Sequence, residues 1–491
     1  MLVVILSVLF ILSKKTHSPV HPVDAPMPDT DRLVTTDLDV RTAFAADASG
    51  LYLVPEAVAR PTSAAEVVEI LKDASSTRTP VTPAGAQTSY VGGSITDRGL
   101  VLSLRALDRV LDVDPTARVV RAEPGALLGD VKRAAAAHGL LLAPDPTSEE
   151  ESSVGGAIVC NSSGARSLKY GATRPHVAAL TVALADGRVI EVRRPALEKN
   201  TAGPPFVQDP VDWFVGSEGT LGVVLAAELR LLPLPTTVTG LGVPFRTAKD
   251  ALAFIAAARA ARDHGDAGVQ PRCLEYLDAK AFRIAREFVG GTWAQDASAY
   301  AYVEEEAFDD GAVDLDAWLA LAEGHGALGD DIQVFEGEQN LREARRMRHA
   351  VPATLNERAV KYRAAGGRKV STDWAVPYPR LHEALVASDE IAAAHGVEIA
   401  ATFGHAGNGH PHQHYHARDA EELVRMEHAV EATLRHVVTM GGTVSAEHGI
   451  GKVKRQWLAM QLGDTQLAVM RAVKRELDPL GILSPGNVFA P

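Results

Sequence analysis

Three loops in the first half of the chain combine glycines with hydroxyl side chains, and they restrict the fold more than any other feature. PAGAQTSYVGGS (Pro83 to Ser94) carries Gly85, Gly92 and Gly93 with Thr88, Ser89 and Ser94. DPTSEEESSVGGAIVCNSSGARSLKYG (Asp145 to Gly171) holds Gly155, Gly156, Asn161, Ser162, Ser163 and Gly164 around a short apolar piece. GSEGTLGVV (Gly216 to Val224) follows the strand-like VDWFV. Loops of this kind let backbone N–H groups approach phosphate oxygens, with hydroxyls as further donors. The first has neither the Gly-Lys-Ser/Thr ending of a P-loop nor dinucleotide-fold glycine spacing. Three of them in one domain fit a large phosphorylated cofactor lying across it. A turn-rich scaffold without a cofactor also accounts for them.

The segments between the loops read as α+β, with short strands and no long run of βαβ repeats. Ser63 with Glu66 is a capping box before an apolar helical run. ARVVRAEPG and LLLAPDP read as strands, and ALLGDVKRAAAAHG as a helix ending at Gly139. HVAALTVALADGRVIEVRR is a hairpin turning at Asp186-Gly187. Pro233 and Pro235 mark a boundary. Beyond it come Ala-rich helices (AKDALAFIAAARAARDHG) and strands such as SAYAYVEEE. Near the end, Leu467, Met470, Val473 and Leu477 stand at helical spacing, with Asp464 as the expected cap and Pro479 and Gly481 as the stop. The expected division is 1–30, 31–235, 236–445 and 446–491.

The 491 residues carry a formal net charge of −13, which argues against a nucleic-acid partner. Two cysteines, Cys160 and Cys273, cannot build an iron–sulfur cluster or a Cys-rich zinc module, and a reducing compartment is the default. The opening MLVVILSVLFILSKKTH has an apolar run of about twelve residues, short of the roughly 20 that span a bilayer. It is a poor match to a signal peptide, and an anchor, a divergent signal and a misplaced start all stay open.

Five histidines, His405, His410, His412, His414 and His416, fall within ATFGHAGNGHPHQHYH. VEIAATF reads as a strand, with the histidines on the loop at its end. Gly404, Gly407 and Gly409 lack nucleotide-loop spacing, so a metal site and a solvated polar loop are the two readings. SAEHGIG adds Glu447 and His448, which converge on one site only if the glycines around them make a tight turn. Arg348, in RRMRHAVP, is either a surface charge in an Arg-rich helix or a planar fork for a carboxylate.

SSVGGAIVCNSSGARSLKYG, GSEGTLGVV and GGTVSAEHGIGK together resemble the p-cresol methylhydroxylase/vanillyl-alcohol oxidase superfamily, in its FAD-linked D-2-hydroxyacid dehydrogenase branch. The resemblance covers roughly residues 40–491. It implies a two-subdomain FAD-binding domain over 31–235 and an α+β substrate (cap) domain with an antiparallel sheet over 236–445. A helical C-terminal segment, 446–491, would return to the FAD domain. It also implies cofactor contacts at Gly85, Thr88, Ser89, Gly92, Gly93, Pro146, Thr147, Ser153, Gly156, Asn161, Ser163, Gly164, Tyr170, Gly171, Glu218, Gly222 and Val224. Some members tether FAD through a histidine in the first loop; Gln87-Thr88-Ser89 stands there instead, so non-covalent FAD is expected.

By the same resemblance, His405, His412 and Glu447 match ligands of a divalent ion, Zn²⁺ or Mn²⁺. His448 matches the catalytic base, Arg348 the carboxylate binder, and Lys369 is a third candidate. The usual Gly-Asp-Gly-Asn-Leu-His is GNGHPH here: Asn408 replaces an acid, His410 and Pro411 replace Asn and Leu, and His414 stands where an asparagine is common. The implied reaction is oxidation of a small D-2-hydroxy acid with hydride transfer to flavin N5. Electrons would pass to a quinone, a cytochrome or an electron-transfer flavoprotein. A cytoplasmic homodimer is expected, with peripheral membrane association left open. Competing readings are another flavin-dependent alcohol oxidoreductase, an enzyme like alkylglycerone-phosphate synthase (echoed in STDWAVPYPRL), and a His-rich metal-binding protein without flavin.

Overall fold

The computed structural model describes residues 33–489 apart from 266, 267, 291 and 310. The apolar amino-terminal run therefore lies outside the described residues. Among the described residues no helix is long and apolar enough to cross a membrane.

The fold is α+β. The first loop hangs from a four-stranded sheet in which Ala57–Ala59 and Val81–Ala84 both run parallel to Leu100–Ser103 between them. The helix Ala64–Thr77 makes the crossover, and Ser63 Oγ accepts from Glu66 N at its start. The expected capping box is half formed, because the Glu66 carboxylate accepts from Thr62 N instead of Ser63 N. Beside this sheet lies a five-stranded antiparallel sheet. It contains the Val177–Ala183/Val189–Arg193 hairpin and Val223–Arg230, the strand that leaves the third loop.

The seven-stranded antiparallel sheet carries most of the chemistry. Its order is Gln333–Glu336, Thr237–Phe245, Ala299–Ala307, Pro271–Asp278, Ile399–His405, His410–His416 and Lys369–Ser371. One face packs on the helices Ala248–His264, Leu381–Ala394 and Ala420–Thr439 through Phe254, Leu385, Val430, Leu274 and Tyr415. The other packs on Ala279–Val289 and Gly337–Val360 through Phe282, Met347, Val351, Leu277 and Phe403. The chain then returns: Val81 N donates to Ile482 O and Ser484 N to Val81 O, so the C-terminal stretch adds to the edge of the first sheet.

Several local expectations need correction. VDWFV is not a strand; Pro210–Trp213 is a 3₁₀ turn, begun by a proline whose fixed φ suits that position. LLLAPDP gives only the two-residue strand Leu140–Leu141. The last helix is capped at Gly463, whose N–H donates to Gln466 Oε1, and Asp464 is its first helical residue.

The histidines correct the sequence reading most. His410–His416 is a strand, and only residues 406–408 form the turn before it. In a strand, alternate residues share a face. His410, His412 and His414 are therefore buried on the Phe403 side, while Tyr415 enters the opposite core. The solvated-loop reading is wrong because the stripe has period two and both faces are covered.

Candidate active site

The three glycine loops, with His412 and His414 of the histidine face, line one cavity of about 420 Å³, within the roughly 300–1,000 Å³ usual for ligand sites. One wall is the first loop from Gly85 to Tyr90, the start of the helix Val154–Cys160, and Glu218 to Val224. The other is Arg348, Lys369, Phe403, His412 and His414, with Glu447 and His448.

The first wall has the donors that a pyrophosphate needs. No backbone N–H from Gly85 to Tyr90 donates to an acceptor among the described residues, although all six residues line the cavity. Gln87 takes φ +59°, which turns the loop sharply. A Cβ at Gly85 would displace the Ser153 hydroxyl that accepts from Gly156 N at the start of the helix Val154–Cys160. Of the expected cofactor residues, Gly85, Thr88, Ser89, Gly93, Pro146, Thr147, Ser153, Gly156, Ser163, Glu218, Gly222 and Val224 line the cavity.

Gly92, Asn161, Gly164, Tyr170 and Gly171 do not line it. Asn161 caps its helix at φ +50°, and its side-chain oxygen accepts from Arg174 N. Gly164 presses on the Asp145 carbonyl, and Gly171 packs on Pro175. The Tyr170 hydroxyl is taken by Glu306 of the seven-stranded sheet. Gly92 packs against Leu51, and its carbonyl accepts from Lys452 Nζ. These residues shape or brace the loops; none faces the cavity.

On the other wall, chain segments distant in sequence converge. Glu447 Oε2 is 3.4 Å from His405 Nε2, and Oε1 is 3.3 Å from His412 Nε2 and 3.5 Å from His448 Nε2. Ligand atoms of His405, His410, His412 and Glu447 all lie within 4.8 Å of one another. His405 Nε2 is buried without a hydrogen-bond partner. Two or more imidazoles with a carboxylate form a donor set for a divalent ion such as zinc. Burial disfavours charge on His405, but Glu275 and Glu447 outweigh it and raise its pKa to about 10. Burial, and then His410, push His412 down to about 3. Burial also works against ionisation of Glu447, yet His405, His412 and His448 hold its carboxyl well below the usual range. A cation binds neutral imidazoles and an ionised carboxylate, so it would displace the proton on His405.

Two carboxylates that the sequence reading did not single out organise this wall. Glu275 Oε1 is 2.5 Å from His405 Nδ1, and Oε2 accepts from Arg348 Nε at 3.0 Å. Asp373 accepts from Glu447 N at 3.2 Å, His448 N at 3.0 Å, Ser445 Oγ at 2.8 Å and Lys454 Nζ at 2.5 Å. It thereby makes the tight turn that turns both Glu447 and His448 inward. Glu218 grips the chain just beyond, accepting from Ile450 N and Gly451 N at 2.6 Å each. Tyr90, from the first loop, stacks on His448 with centroids 4.7 Å apart. The two carboxylates share no local pattern with the residues they hold; only Tyr90 lay in a loop already marked.

Arg348 is buried, so the surface-charge reading falls. Its Nη2 has no partner, and its Cζ lies 5.4 Å from the Phe403 ring centroid. Lys369 lines the same wall, and burial lowers its pKa to about 8.

Residues 55–193 match the FAD binding domain family, and residues 247–488 match the family of FAD linked oxidases, C-terminal domain. The chain is 32% identical to glycolate oxidase subunit GlcD of Bacillus subtilis over 458 residues, 92% of each chain. It is 33% identical to a D-lactate dehydrogenase of Archaeoglobus fulgidus over 433 residues, 88% of this chain and 90% of that one. A D-2-hydroxyglutarate dehydrogenase of Xanthomonas citri is 30% identical over 454 residues, 89% of both. Among solved structures, p-cresol methylhydroxylase with substrate bound superposes with a TM-score of 0.70 at 14% identity, covering 93% of this chain and 94% of that one. An alkyldihydroxyacetonephosphate synthase gives 0.69 at 18%, covering 92% and 83%. These two show the shared fold. The chain belongs to the FAD-linked oxidase family. It is an FAD-linked oxidoreductase, which excludes a flavin-free metal-binding protein.

Proposed function

We propose that this enzyme oxidises a small D-2-hydroxy acid of the lactate, glycolate or 2-hydroxyglutarate type to its 2-oxo acid and passes the electrons to an external acceptor. The observation that carries the reading is one cavity lined by a buried arginine with an unpaired N–H, by His448 and by the His412–Glu447 edge of the histidine–carboxylate cluster. The names of the relatives support the substrate class.

The substrate loses a hydroxyl proton and the hydride on C2, and C2 becomes a ketone. Bound FAD supplies the two-electron acceptor, and a divalent ion supplies Lewis acidity toward the hydroxyl. The loop from Gly85 to Tyr90 holds the phosphates of FAD without a covalent tether. His405, His412 and Glu447 hold the ion. Arg348 grips the carboxylate through Nη2, since Nε is committed to Glu275. His448 takes the hydroxyl proton, and its ring is fixed by Tyr90 and by the turn around Asp373. Lys369 adds positive charge to the substrate end of the cavity.

The test is anaerobic mixing of the purified holoenzyme with paired D- and L-2-hydroxy acids, scored by bleaching of the visible flavin band. Bleaching by D- but not L-isomers is the expected result. A flavin that stays oxidised with every 2-hydroxy acid overturns the proposal.

A further inference from the structure

We infer that His410 is a fourth protein ligand of the divalent ion, so that this chain holds it with three imidazoles and one carboxylate. The inference rests on the reading of His405, His412 and Glu447 as ligands, and it changes what that site can do.

The strand geometry places His410 in the cluster twice over. It stands two residues before His412 on the same face, and it is the direct cross-strand partner of His405 in the antiparallel register. Its ring centroid is 4.5 Å from that of His412 and 5.4 Å from that of His405, while His405 and His412 are 5.3 Å apart. The three rings thus form a near-equilateral triangle, mutually tilted by 59°, 65° and 82°, with the Glu447 carboxylate closing the fourth side.

Burial argues that these nitrogens are meant for a ligand. His410 is 4% exposed and His405 3%; His405 Nε2 lacks a hydrogen-bond partner, and His410 Nε2 faces the Asp373 carboxylate, which leaves its other ring nitrogen for the ion. A buried polar atom left unpaired costs free energy that an ion would recover. Each ring also has a carboxylate at its outer edge. Glu275 stands 2.5 Å from His405 Nδ1, and Asp373 Oδ1 stands 3.0 Å from His410 Nε2. Ligating histidines usually have such carboxylate partners behind them.

Four protein donors fill a tetrahedral shell. A substrate oxygen then enters only as a fifth or sixth donor, so the ion must accept an expanded shell during binding. A three-donor site would leave the fourth position open from the start.

The experiment uses the full-length, FAD-loaded protein stripped of metal by a chelator. Zn²⁺ affinity is measured by competition with a chromophoric chelator, and Co²⁺ is added separately to read its visible ligand-field spectrum. His410→Asn removes the imidazole and leaves a polar amide in its place. The expected result is Zn²⁺ binding weakened by more than about 100-fold, the upper end of what losing an outer partner costs, together with an altered Co²⁺ spectrum. FAD content and melting temperature report folding, and His410→Gln replaces the first variant if it fails to fold. A smaller weakening, or an unchanged Co²⁺ spectrum, overturns the inference. If His412→Asn still loses the metal in that case, the three-donor site stands without His410. A wild-type protein that binds neither ion overturns both readings.

Discussion

Replacing Arg348 with lysine separates its charge from its shape. The guanidinium side chain is 10% exposed and spends Nε on Glu275 at 3.0 Å, leaving Nη2 buried and unpaired. Lysine keeps a positive charge beside Glu275, so that carboxylate is not stranded in the interior. A single ammonium cannot hold Glu275 and a substrate carboxylate in the geometry of the planar fork. The loss is therefore about one charge-assisted hydrogen bond, worth about 1.5–3 kcal/mol. At about 1.36 kcal/mol per factor of ten, kcat/KM for a 2-hydroxy acid should fall roughly 10- to 150-fold. Stopped-flow flavin reduction under anaerobic conditions measures it. The comparison substrate is the corresponding 2-hydroxy amide, which lacks the carboxylate, and the variant should lose little against it. Equal losses for acid and amide would refute the carboxylate role, as would an unchanged rate with the acid.

His448→Ala should lower the rate of flavin reduction by about 10²- to 10⁴-fold while the protein keeps its FAD, measured by absorbance and stopped flow. Asp373→Asn should destabilise the fold by about 3–5 kcal/mol, because Lys454 is then a buried charge without its partner. Adding Lys454→Met should recover part of that loss in denaturant unfolding, and an additive double variant would contradict the coupling. Lys369 should make stability depend on pH. Its folded pKa is lowered from 10.5 to about 8, so between those values the unfolded chain holds a proton that the folded chain has released, and stability rises with pH there. Below about pH 8 the full penalty applies. Lys369→Met should therefore melt higher than wild type at pH 7, with the gap closing toward pH 10.5; a pH-independent gap argues against the buried charge.

The loop glycines and the Glu447-His448 turn were legible in the sequence because backbone conformation at a tight bend restricts residue type locally. Gly449, at φ +82° just after His448, is such a case. The histidine stripe was legible too, in principle. His-x-His-x-His from His410 to His414 has the period of a strand, although the polarity of the residues favours a loop. Tyr170 and Asn161 went the other way: the motif around them matched, but their side chains are used by Glu306 and Arg174.

What the sequence alone determined was the set of elements whose signal is local: turns, helix starts and the chemical character of the clustered histidines. What only tertiary structure decided was convergence. Glu275 meets His405 across 130 positions, and Asp373 reaches Glu447 across 74. Glu218 reaches Ile450 across 232. Those contacts follow from strand register and from how the two walls pack, which burial of distant apolar surface determines. No local backbone preference encodes which carboxylate will stand behind which imidazole, and so the donors could be named from the sequence while their partners could not.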